Sequence, residues 1–437
     1  MYFNEIPKIQ FEGAQSHNPL SYRYYDANKK IMGKTMQEHL RIAICFWHTF
    51  CWQGNDGFGV ETFPRDWHSA ENPLKRAENR TDAAFEMIEK CGVPFYTFHD
   101  RDVSPEAADL KTTHYYLQHM TDYLEKHMEK TGIKLLWGTA NLFAHPRYAA
   151  GAATNPNPDI FAYAAMQIKQ AMDMTHQLRG ENYVIWGGRE GYDTLLNTDM
   201  KKELAQYARF LQMVVEYKHK IGFKGTLLIE PKPCEPTKHQ YDFDTATVHG
   251  FLLKHGLEKE FKVNIEGNHA TLAGHSFEHE IATAFACDLF GSIDANQGDP
   301  QLGWDTDQFP VDTRTNTLLM YQILKNGGFT TGGFNLDTKL RRQSVDNDDL
   351  FYGVISGVDA LAKGLEMAAQ LIETGKIQTL LDARYQNWNN PLGDAILNQK
   401  MNLEDLEKYV IEKSLAPTHT SGKQELFEIL FAMQGQD

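Results

Sequence analysis

The stretch that decides the fold is "KKELAQYARFLQMVVEYKHKIG" (201–222), followed at once by "GTLLIE" (225–230). The first segment repeats apolar residues at helical spacing and ends in Gly222, a common residue at helix C-termini. The second is a short, continuous apolar run, typical of a strand buried on both faces. A helix followed by such a strand is the unit of a parallel sheet covered by helices.

The same kind of apolar run recurs along the chain, and amphipathic segments such as "DAAFEMIEKC" (82–91) and "THYYLQHMTDYLEKHMEKTG" (113–132) lie between the runs. Eight repeats fit a closed barrel better than an open sheet, so the sequence predicts an α/β protein, a (β/α)8 TIM barrel with an extended helical C-terminal tail. Neither a dinucleotide-binding nor a P-loop glycine motif follows any run. The predicted strands are 41–47, 92–98, 133–138, 182–187, 225–230, 261–266, 289–294 and 332–337.

The repeats also divide the chain into three expected regions. An amino-terminal extension covers 1–40, the catalytic barrel 41–381, and a helical tail 382–437. From the residues alone, such a tail has two places to pack: its own barrel or a neighbouring subunit.

Composition restricts the partners. The 437 residues are 42% apolar and 23% charged, with a formal charge of −15. This charge argues against nucleic acid or an anionic membrane surface, because both require a concentrated basic face. No secretory signal or membrane-spanning run is expected. The five scattered cysteines predict reduced thiols and a cytoplasmic protein.

Carboxylates stand at the ends of four predicted strands. Glu230, Glu266, Asp294 and Asp337 each close an apolar run, and in a barrel the carboxyl ends of all strands open onto one face. Four carboxylates at one mouth repel each other and raise each other's pKa values unless a cation compensates. The pattern therefore predicts a bound cation.

The types of ligand select the metal. Carboxylates with at most one imidazole favour Mg²⁺, with Mn²⁺ or Co²⁺ as alternatives, whereas zinc would recruit more His or Cys. His269, Asp305 and Asp307 supply enough further ligands for two divalent cations, one carboxylate bridging them. In an extended segment the two-residue spacing of Asp305 and Asp307 places both on one face. Asp299, in the same loop, has no assigned role.

Other polar residues near the strand ends are candidates for catalytic roles. Asp102 is placed to accept a hydrogen bond from His99, which fixes the tautomer and leaves the other nitrogen for substrate. Lys232 can hydrogen-bond a developing oxyanion. Trp137, Trp186 and Phe143 are core aromatics or walls for the apolar face of a sugar, and Thr139 follows the third strand.

A zinc-protease hypothesis fails on one residue. "HSFEHEIATA" (275–284) is rich in histidine, but Thr283 stands where an HExxH motif needs its second His after His279. We expect these histidines to serve packing and polar contacts.

Several segments together resemble the signatures of the xylose isomerase family, and its longer class (class II) in the amino-terminal region. The resemblance covers nearly the whole chain. It is carried by "FHDRDVSPE" (98–106), "VIWGGREGYDTLLNTD" (184–199), "IEPKPCEP" (229–236), "EGNHATLAGH" (266–275) and "GDPQLGWDTDQFP" (298–310).

The resemblance implies a metal-dependent aldose–ketose isomerase, an intramolecular oxidoreductase that interconverts D-xylose and D-xylulose, and also D-glucose and D-fructose. Ring opening by His99, supported by Asp102, would precede a metal-assisted 1,2-hydride shift, with Lys232 contacting the first sugar oxygen. A homotetramer is implied, with the tail of residues 382–437 packing on a neighbouring subunit. One ion would be held by Glu230, Glu266, Asp294 and Asp337, a second by Glu266, His269, Asp305 and Asp307, and the pocket would be lined by Trp47, Thr139, Phe143 and Trp186, with Phe58 inserted from a neighbour.

Three alternatives stay open. A barrel nuclease would need basic residues around the mouth, where this sequence is acidic. A sugar-binding protein with a structural metal leaves His99, Asp102 and Lys232 unexplained. The nearest alternative is another two-metal barrel isomerase acting on a different unphosphorylated aldose.

Overall fold

Eight parallel strands close a barrel in the computed structural model, which describes residues 1–433. Each strand pairs with the next in the chain, and the last pairs with the first through Asn335 beside Ala43 and Leu336 beside Ile44. All eight predicted strands are confirmed, with ends that shift by at most three residues. The strands are β1 (Ala43–Cys45), β2 (Phe95–His99), β3 (Lys134–Thr139), β4 (Asn182–Trp186), β5 (Thr226–Glu230), β6 (Phe261–Glu266), β7 (Phe290–Asp294) and β8 (Phe334–Leu336).

The predicted helix before β5 runs from Met200 to Ile221. Its first turn is capped by the Asp199 carboxylate, which accepts the Lys202 N–H, and Gly222 ends it with a left-handed φ of 72°. Along the described chain the α-helices are α1 (Met36–Leu40), α2 (Pro73–Cys91), α3 (Asp100–Val103), α4 (Leu110–Thr131), α5 (Pro158–Gln177), α6 (Met200–Ile221), α7 (Thr245–His255), α8 (Gly267–Leu272), α9 (Phe277–Ala286), α10 (Thr313–Lys325), α11 (Asn347–Glu373), α12 (Lys376–Tyr385), α13 (Pro391–Leu397), α14 (Leu403–Glu412) and α15 (Gln424–Ala432).

Short pairs of strands decorate the barrel. Gln10–Phe11 pairs with Ser21–Tyr22, Lys30–Ile31 with Lys34–Thr35, and Gly191–Tyr192 with His239–Gln240. The amino-terminal region is anchored through Asp359 in α11, whose carboxylate accepts the N–H groups of residues 23, 24 and 25 at 2.8–3.0 Å. These pairs are two residues long, too short for a periodicity that the sequence could reveal.

The barrel interior is filled by side chains from alternating strands. One cluster of fully buried residues packs below the mouth, and Trp47 lies against it. Burying apolar surface of this kind is the main stabilising term of the fold, at about 25 cal/mol per Å². The cluster consists of Ala43, Phe95, Leu136, Trp137, Val184 and Leu228.

The chain forms two compact units. The first, Met1–Gly364, contains the barrel, and the second, Leu365–Asp437, is helical throughout its regular structure, of which residues 365–433 are described. A helical C-terminal region is thus confirmed. Among the helices of residues 1–433, none is long and apolar enough to cross a membrane.

Candidate active site

The predicted site residues end the strands, at the same mouth of the barrel. His99 is the last residue of β2 and Thr139 the last of β3, and the two are register partners. Glu266 and Asp294 are partners in the same way at the ends of β6 and β7. Glu230 ends β5, Trp186 ends β4, and Asp337 directly follows β8. Side chains along a strand point alternately toward the barrel interior and toward the surrounding helices. These residues occupy positions that point inward, so their side chains meet at the mouth of the barrel.

The carboxylates form three overlapping clusters that share Glu266. In each cluster the potential ligand atoms all lie within 4.8 Å of one another. The shared residue matches the bridging position expected between two ions. The clusters are Glu230 with Glu266 and His269; Glu230 with Glu266, Asp294 and Asp337; and Glu266 with Asp305 and Asp307.

Burial makes these acids unusual. Burial first, and then the repulsion of Glu266, raises the pKa of Asp294 to about 7. Burial and neighbouring carboxylates likewise hold the pKa values of Glu230 and Asp337 well above the ordinary range, and the pKa of Glu266 is also raised. Such a group of acids stays fully ionised at neutral pH only if positive charge compensates it.

Three buried asparagines fix the orientation of the carboxylates. Asn296 donates to Glu266 Oε1 at 2.7 Å and to Asp307 Oδ1 at 3.3 Å. Asn335, in β8, donates to Asp294 Oδ1 at 2.9 Å, and Asn264, in β6, to Glu230 Oε2 at 3.1 Å. Groups that hold metal-binding carboxylates in this way set their geometry before any ion arrives.

The loop with Asp305 and Asp307 reaches the same mouth by a bend. Both side chains approach Glu266, as the sequence predicts. The expectation of an extended segment is wrong, however, because Asp307 has a left-handed φ of 44°. Thr306 between them donates its N–H and its hydroxyl to Asn268 Oδ1, at 3.0 and 2.8 Å. This anchor, and not strand-like alternation, turns both carboxylates inward.

Cationic side chains are interleaved with the acids. Lys232 Nζ lies 2.8 Å from Asp305 Oδ2 and 5.3 Å from the ring centre of Trp186. Lys339 Nζ lies 2.7 Å from Asp307 Oδ2. Burial alone would lower the pKa of Lys232, but the carboxylates of Asp305 and Glu266 outweigh it and raise that pKa. The ammonium groups therefore stay charged at the mouth.

His269 lies between two carboxylates, with Nε2 at 2.9 Å from Glu266 Oε2 and 3.1 Å from Asp305 Oδ2. Burial would lower its pKa, but the attraction of Glu266 and the hydrogen bonds to Asp305 and Glu266 raise it to about 10. Burial alone would raise the pKa of Asp305, but the charge of Lys232 and the hydrogen bond and charge of His269 outweigh burial and hold that pKa well below the ordinary range.

His99 stands on the opposite side of the cavity from the acids. Its Nδ1 lies 2.9 Å from Asp102 Oδ2, and the same oxygen accepts the His99 backbone N–H at 2.7 Å. With Asp102 accepting from Nδ1–H, Nε2 is the ring nitrogen available to a substrate. Aromatic rings surround the imidazole: Trp47 at 4.6 Å between centroids, Phe143 at 5.3 Å and Trp137 at 6.5 Å.

These residues line one cavity of about 290 Å³. Its walls carry seven carboxylates and two lysine ammonium groups, a formal charge of −5 when every carboxylate is ionised and the histidines are left out of the count. Two divalent cations would offset most of that charge. Asp305 Oδ1, Asp294 Oδ2 and His269 Nδ1 are moreover buried without a hydrogen-bond partner in residues 1–433. Hard oxygen donors with one imidazole fit two ions of the Mg²⁺ type.

Some residues of the site were not predicted. His48 Nε2 lies 3.3 Å from both Asp307 and Asp337. It follows the predicted Trp47, whose Nε1 donates to Asp337 Oδ1 at 2.7 Å. Lys339 and Glu235 also line the cavity. A signal for Lys339 existed: it stands two residues after the strand-end Asp337, as Lys232 stands two residues after Glu230.

All of the predicted site residues except Asp102 and Phe58 line the cavity. Asp102 lies behind His99. Phe58 is 94% exposed and does not line the cavity of its own chain.

Proteins named xylose isomerase match almost the whole chain. The xylose isomerase of Haemophilus influenzae (strain 86-028NP) is 60% identical over 429 residues, 98% of each chain. That of Paraburkholderia xenovorans (strain LB400) is 61% identical over 427 residues, 98% of this chain and 97% of its own. Residues 381–433 match a model of the XylA2 C-terminal domain.

A solved structure supports the fold alone. D-psicose 3-epimerase from Clostridium cellulolyticum H10, solved with D-tagatose, covers 74% of this chain and 99% of its own, at 12% identity and a TM-score of 0.52. The near full-length identity of about 60% to relatives from two genera decides the family. The chain belongs to the xylose isomerase family.

Proposed function

We propose that the protein is a metal-dependent aldose–ketose isomerase that interconverts D-xylose and D-xylulose, and also D-glucose and D-fructose. The cavity carries the proposal, because it sets an acidic cluster suited to two cations opposite a His–Asp pair, with aromatic walls between them. The relatives in the same family carry the name of this activity.

Two divalent cations fit the acids, with Mg²⁺ as the first candidate and Mn²⁺ or Co²⁺ as alternatives. Glu230, Glu266, Asp294 and Asp337 would hold one ion, and Glu266, His269, Asp305 and Asp307 the other. When bound, the ions supply Lewis acidity toward the sugar's oxygens. The three asparagines that orient Glu230, Glu266 and Asp294 support this assignment, because they leave other carboxylate oxygens free to bind.

His99 is assigned the opening of the cyclic sugar. Its Nε2 would move a proton between the ring oxygen and the anomeric hydroxyl, while Asp102 holds the tautomer and stabilises the imidazolium. Burial of both side chains keeps the pair free of competing water. A hydride then passes from C2 to C1 of the open-chain aldose, while the C2 hydroxyl gives up its proton and the C1 oxygen takes one up.

Lys232 is assigned the stabilisation of negative charge on the first sugar oxygen, since its ammonium stays charged beside Asp305. Trp47, Trp137, Phe143 and Trp186 would cover the apolar face of the sugar and exclude water. Thr139 is a further contact. Water exclusion favours a hydride shift over proton exchange, because six of the seven cavity carboxylates are assigned to the ions and the seventh, Glu235, lies 3.4 Å from the Lys232 ammonium.

We propose further that the protein works as a homotetramer in the cytoplasm. In this assembly, residues 1–40 form an amino-terminal extension, residues 41–381 the catalytic barrel, and residues 382–437 a tail that packs on a neighbouring subunit. Phe58, exposed on its own chain, would complete a neighbour's pocket. The five free cysteines fit a reducing compartment.

The test is an assay of the full-length protein with D-xylose or D-glucose and Mg²⁺, followed by excess chelator. We expect ketose in the first case and none in the second. In D₂O we expect little solvent deuterium at C1 of the ketose. Full incorporation would contradict the hydride shift, and the absence of metal-dependent ketose from any unphosphorylated aldopentose or aldohexose would contradict the isomerase.

The second candidate is an isomerase of the same mechanism for a different unphosphorylated aldose. The acidic walls of the cavity, with a formal charge of −5, favour uncharged sugars over phosphorylated ones but do not choose among them. Comparing kcat/KM across aldopentoses and aldohexoses decides between the two candidates.

A further inference from the structure

A second group of potential metal ligands lies outside the barrel mouth. We call it the histidine cluster: His275, His279, Glu280 and Asp244. His275 follows α8, His279 and Glu280 belong to the first turn and a half of α9, and Asp244 caps the start of α7. The HExxH spacing fails here because the second histidine is not on α9, but the fold brings His275 and Asp244 to the same place.

The ligand atoms of the cluster are already close. One ligand atom each from His275, His279 and Glu280 lies within 4.8 Å of the others. His275 Nε2 lies 3.1 Å from Asp244 Oδ2 and 3.9 Å from Glu280 Oε1. Ligands around a tetrahedral zinc ion stand about 3.4 Å apart, given bonds of about 2.0–2.1 Å. Only a small rotation separates the cluster from that geometry.

His279 is free to make that rotation. Its ring is exposed, lies 4.8 Å from the ring of His275 between centroids, and has no hydrogen-bond partner among residues 1–433. Glu280, in contrast, is fixed: it is buried, and its Oε2 accepts the Thr245 N–H at 2.9 Å. A rigid carboxylate beside a mobile imidazole lets the cluster close on an ion without moving the backbone.

The charge of the cluster favours a divalent cation. The N-termini of α7 and α9 each contribute about half a positive charge, and the two carboxylates outweigh that sum. Although burial alone would raise the pKa of Asp244, hydrogen bonds from Thr247 and His275 lower it, so this carboxylate is ionised at neutral pH. The cluster thus offers two imidazoles and two carboxylates.

The cluster lies outside the cavity of the barrel mouth but borders its ligands. None of its four residues lines that cavity, and Asp244 and Glu280 line a smaller pocket whose other walls include Glu266 and His269. Its donors also differ in kind, because two imidazoles with two carboxylates suit Zn²⁺ or Ni²⁺, whereas the acids of the mouth suit Mg²⁺.

We propose that His275, His279, Glu280 and Asp244 form a third divalent-cation site, selective for ions of the Zn²⁺ type. An ion there ties the start of α7 to the start of α9 across the turn after α8. The site is independent of the isomerase activity, so either proposal can fail alone.

The experiment counts bound zinc. The full-length protein, saturated with Mg²⁺, is titrated with Zn²⁺, and the zinc retained after gel filtration is measured by mass spectrometry. We expect the wild-type chain to retain one equivalent more than His279→Ala and one more than His275→Gln. Zinc bound at the barrel mouth or at cysteines should be the same in the wild type and the variants, so it does not contribute to the difference in retained zinc.

The matched control is His219→Ala, which removes another exposed histidine, one that contacts a single carboxylate, Glu260, at 3.0 Å. It should retain as much zinc as the wild type. Equal zinc in the wild type and His279→Ala, or an equal loss in His219→Ala, would overturn the site. His279 is exposed, so its replacement should not disturb folding, and Asp244 is avoided because it caps α7.

Discussion

Asp242 is a buried acid outside the mouth of the barrel. Its Oδ2 accepts the hydroxyl of Tyr207 at 2.7 Å, and its backbone carbonyl accepts the Lys232 N–H. Burial, opposed by the Tyr207 hydrogen bond and reinforced by Glu190, raises its pKa from 3.8 to about 7. Because the folded pKa lies above the unfolded one, this group lowers stability as pH rises from about 4 through 7.

We therefore expect Asp242→Asn to stabilise the protein in a pH-dependent way. The amide keeps an acceptor for Tyr207 and never ionises. At about 1.4 kcal/mol per pKa unit, the gain should grow from near zero at pH 4 to about 2–4 kcal/mol at pH 8. Urea unfolding at both pH values in Mg²⁺ measures it. Glu129→Gln, at an exposed acid of α4, is the control, and a gain independent of pH would contradict the reasoning.

His99→Gln separates ring opening from metal binding. If Nε2 of His99 moves the proton, its loss should lower kcat on the cyclic sugar by about 10²–10⁴-fold. None of the carboxylate clusters includes His99, so the affinity for Mg²⁺, measured by calorimetry, should stay unchanged. Asp102→Asn should slow turnover in the same way. Lost metal binding in either variant would contradict the roles assigned to the pair.

At the scale of elements, the contact between β7 and β8 depends on glycine. A Cβ on Gly332, just before β8, would lie 2.0 Å from the carbonyl oxygen of Gly291 in β7. Backbone cannot give way as a flexible side chain does, so we expect Gly332→Ala to cost about 3 kcal/mol of unfolding free energy. The matched control is Gly250→Ala in α7, where nothing lies within 4 Å and alanine should stabilise by about 0.5–1 kcal/mol. Chemical denaturation of both variants checks the pair, and an unchanged Gly332→Ala midpoint would refute the contact.

The elements also explain how much the sequence could predict. Strands such as β5 are buried on both faces, so they read as continuous apolar runs, and their last residues had to meet at one mouth. The cluster of Glu230, Glu266, Asp294 and Asp337 followed from that topology alone. Local backbone did not follow: the bend at Asp307 depends on Thr306 bonding to Asn268, a contact across 38 positions.

Residues that act by positioning other residues could not be predicted from the sequence either. Asn296, two residues after β7, and Asn335, in β8, are ordinary polar residues until their carboxylate partners are placed. His48 lies in the short π-helical segment Trp47–Cys51 after β1, where strand alternation no longer says which way a side chain points. Lys339 shows the opposite case, because its spacing from Asp337 repeats that of Lys232 from Glu230 and so was readable.

At the scale of the molecule, the tail presents apolar surface. In residues 365–433, ten large apolar side chains are exposed, among them Leu403 at 83% and Ile411 at 68% in α14. Neither α12, α14 nor α15 contains a fully buried residue. Apolar surface of this extent marks an interface, which supports the proposal that the tail packs on a neighbouring subunit.

We expect Leu403→Glu and Ile411→Glu to reduce the mass of the assembly, because each places a charge where apolar surface would be buried. Analytical ultracentrifugation over a range of protein concentrations measures that mass. Turnover per chain should fall with it, since Phe58 is proposed to complete a neighbour's pocket. Lys408→Gln, on the same helix, makes the same change in charge at a polar position and should leave the mass unchanged. A wild-type monomer, or an assembly indifferent to both substitutions, would refute the role given to the tail.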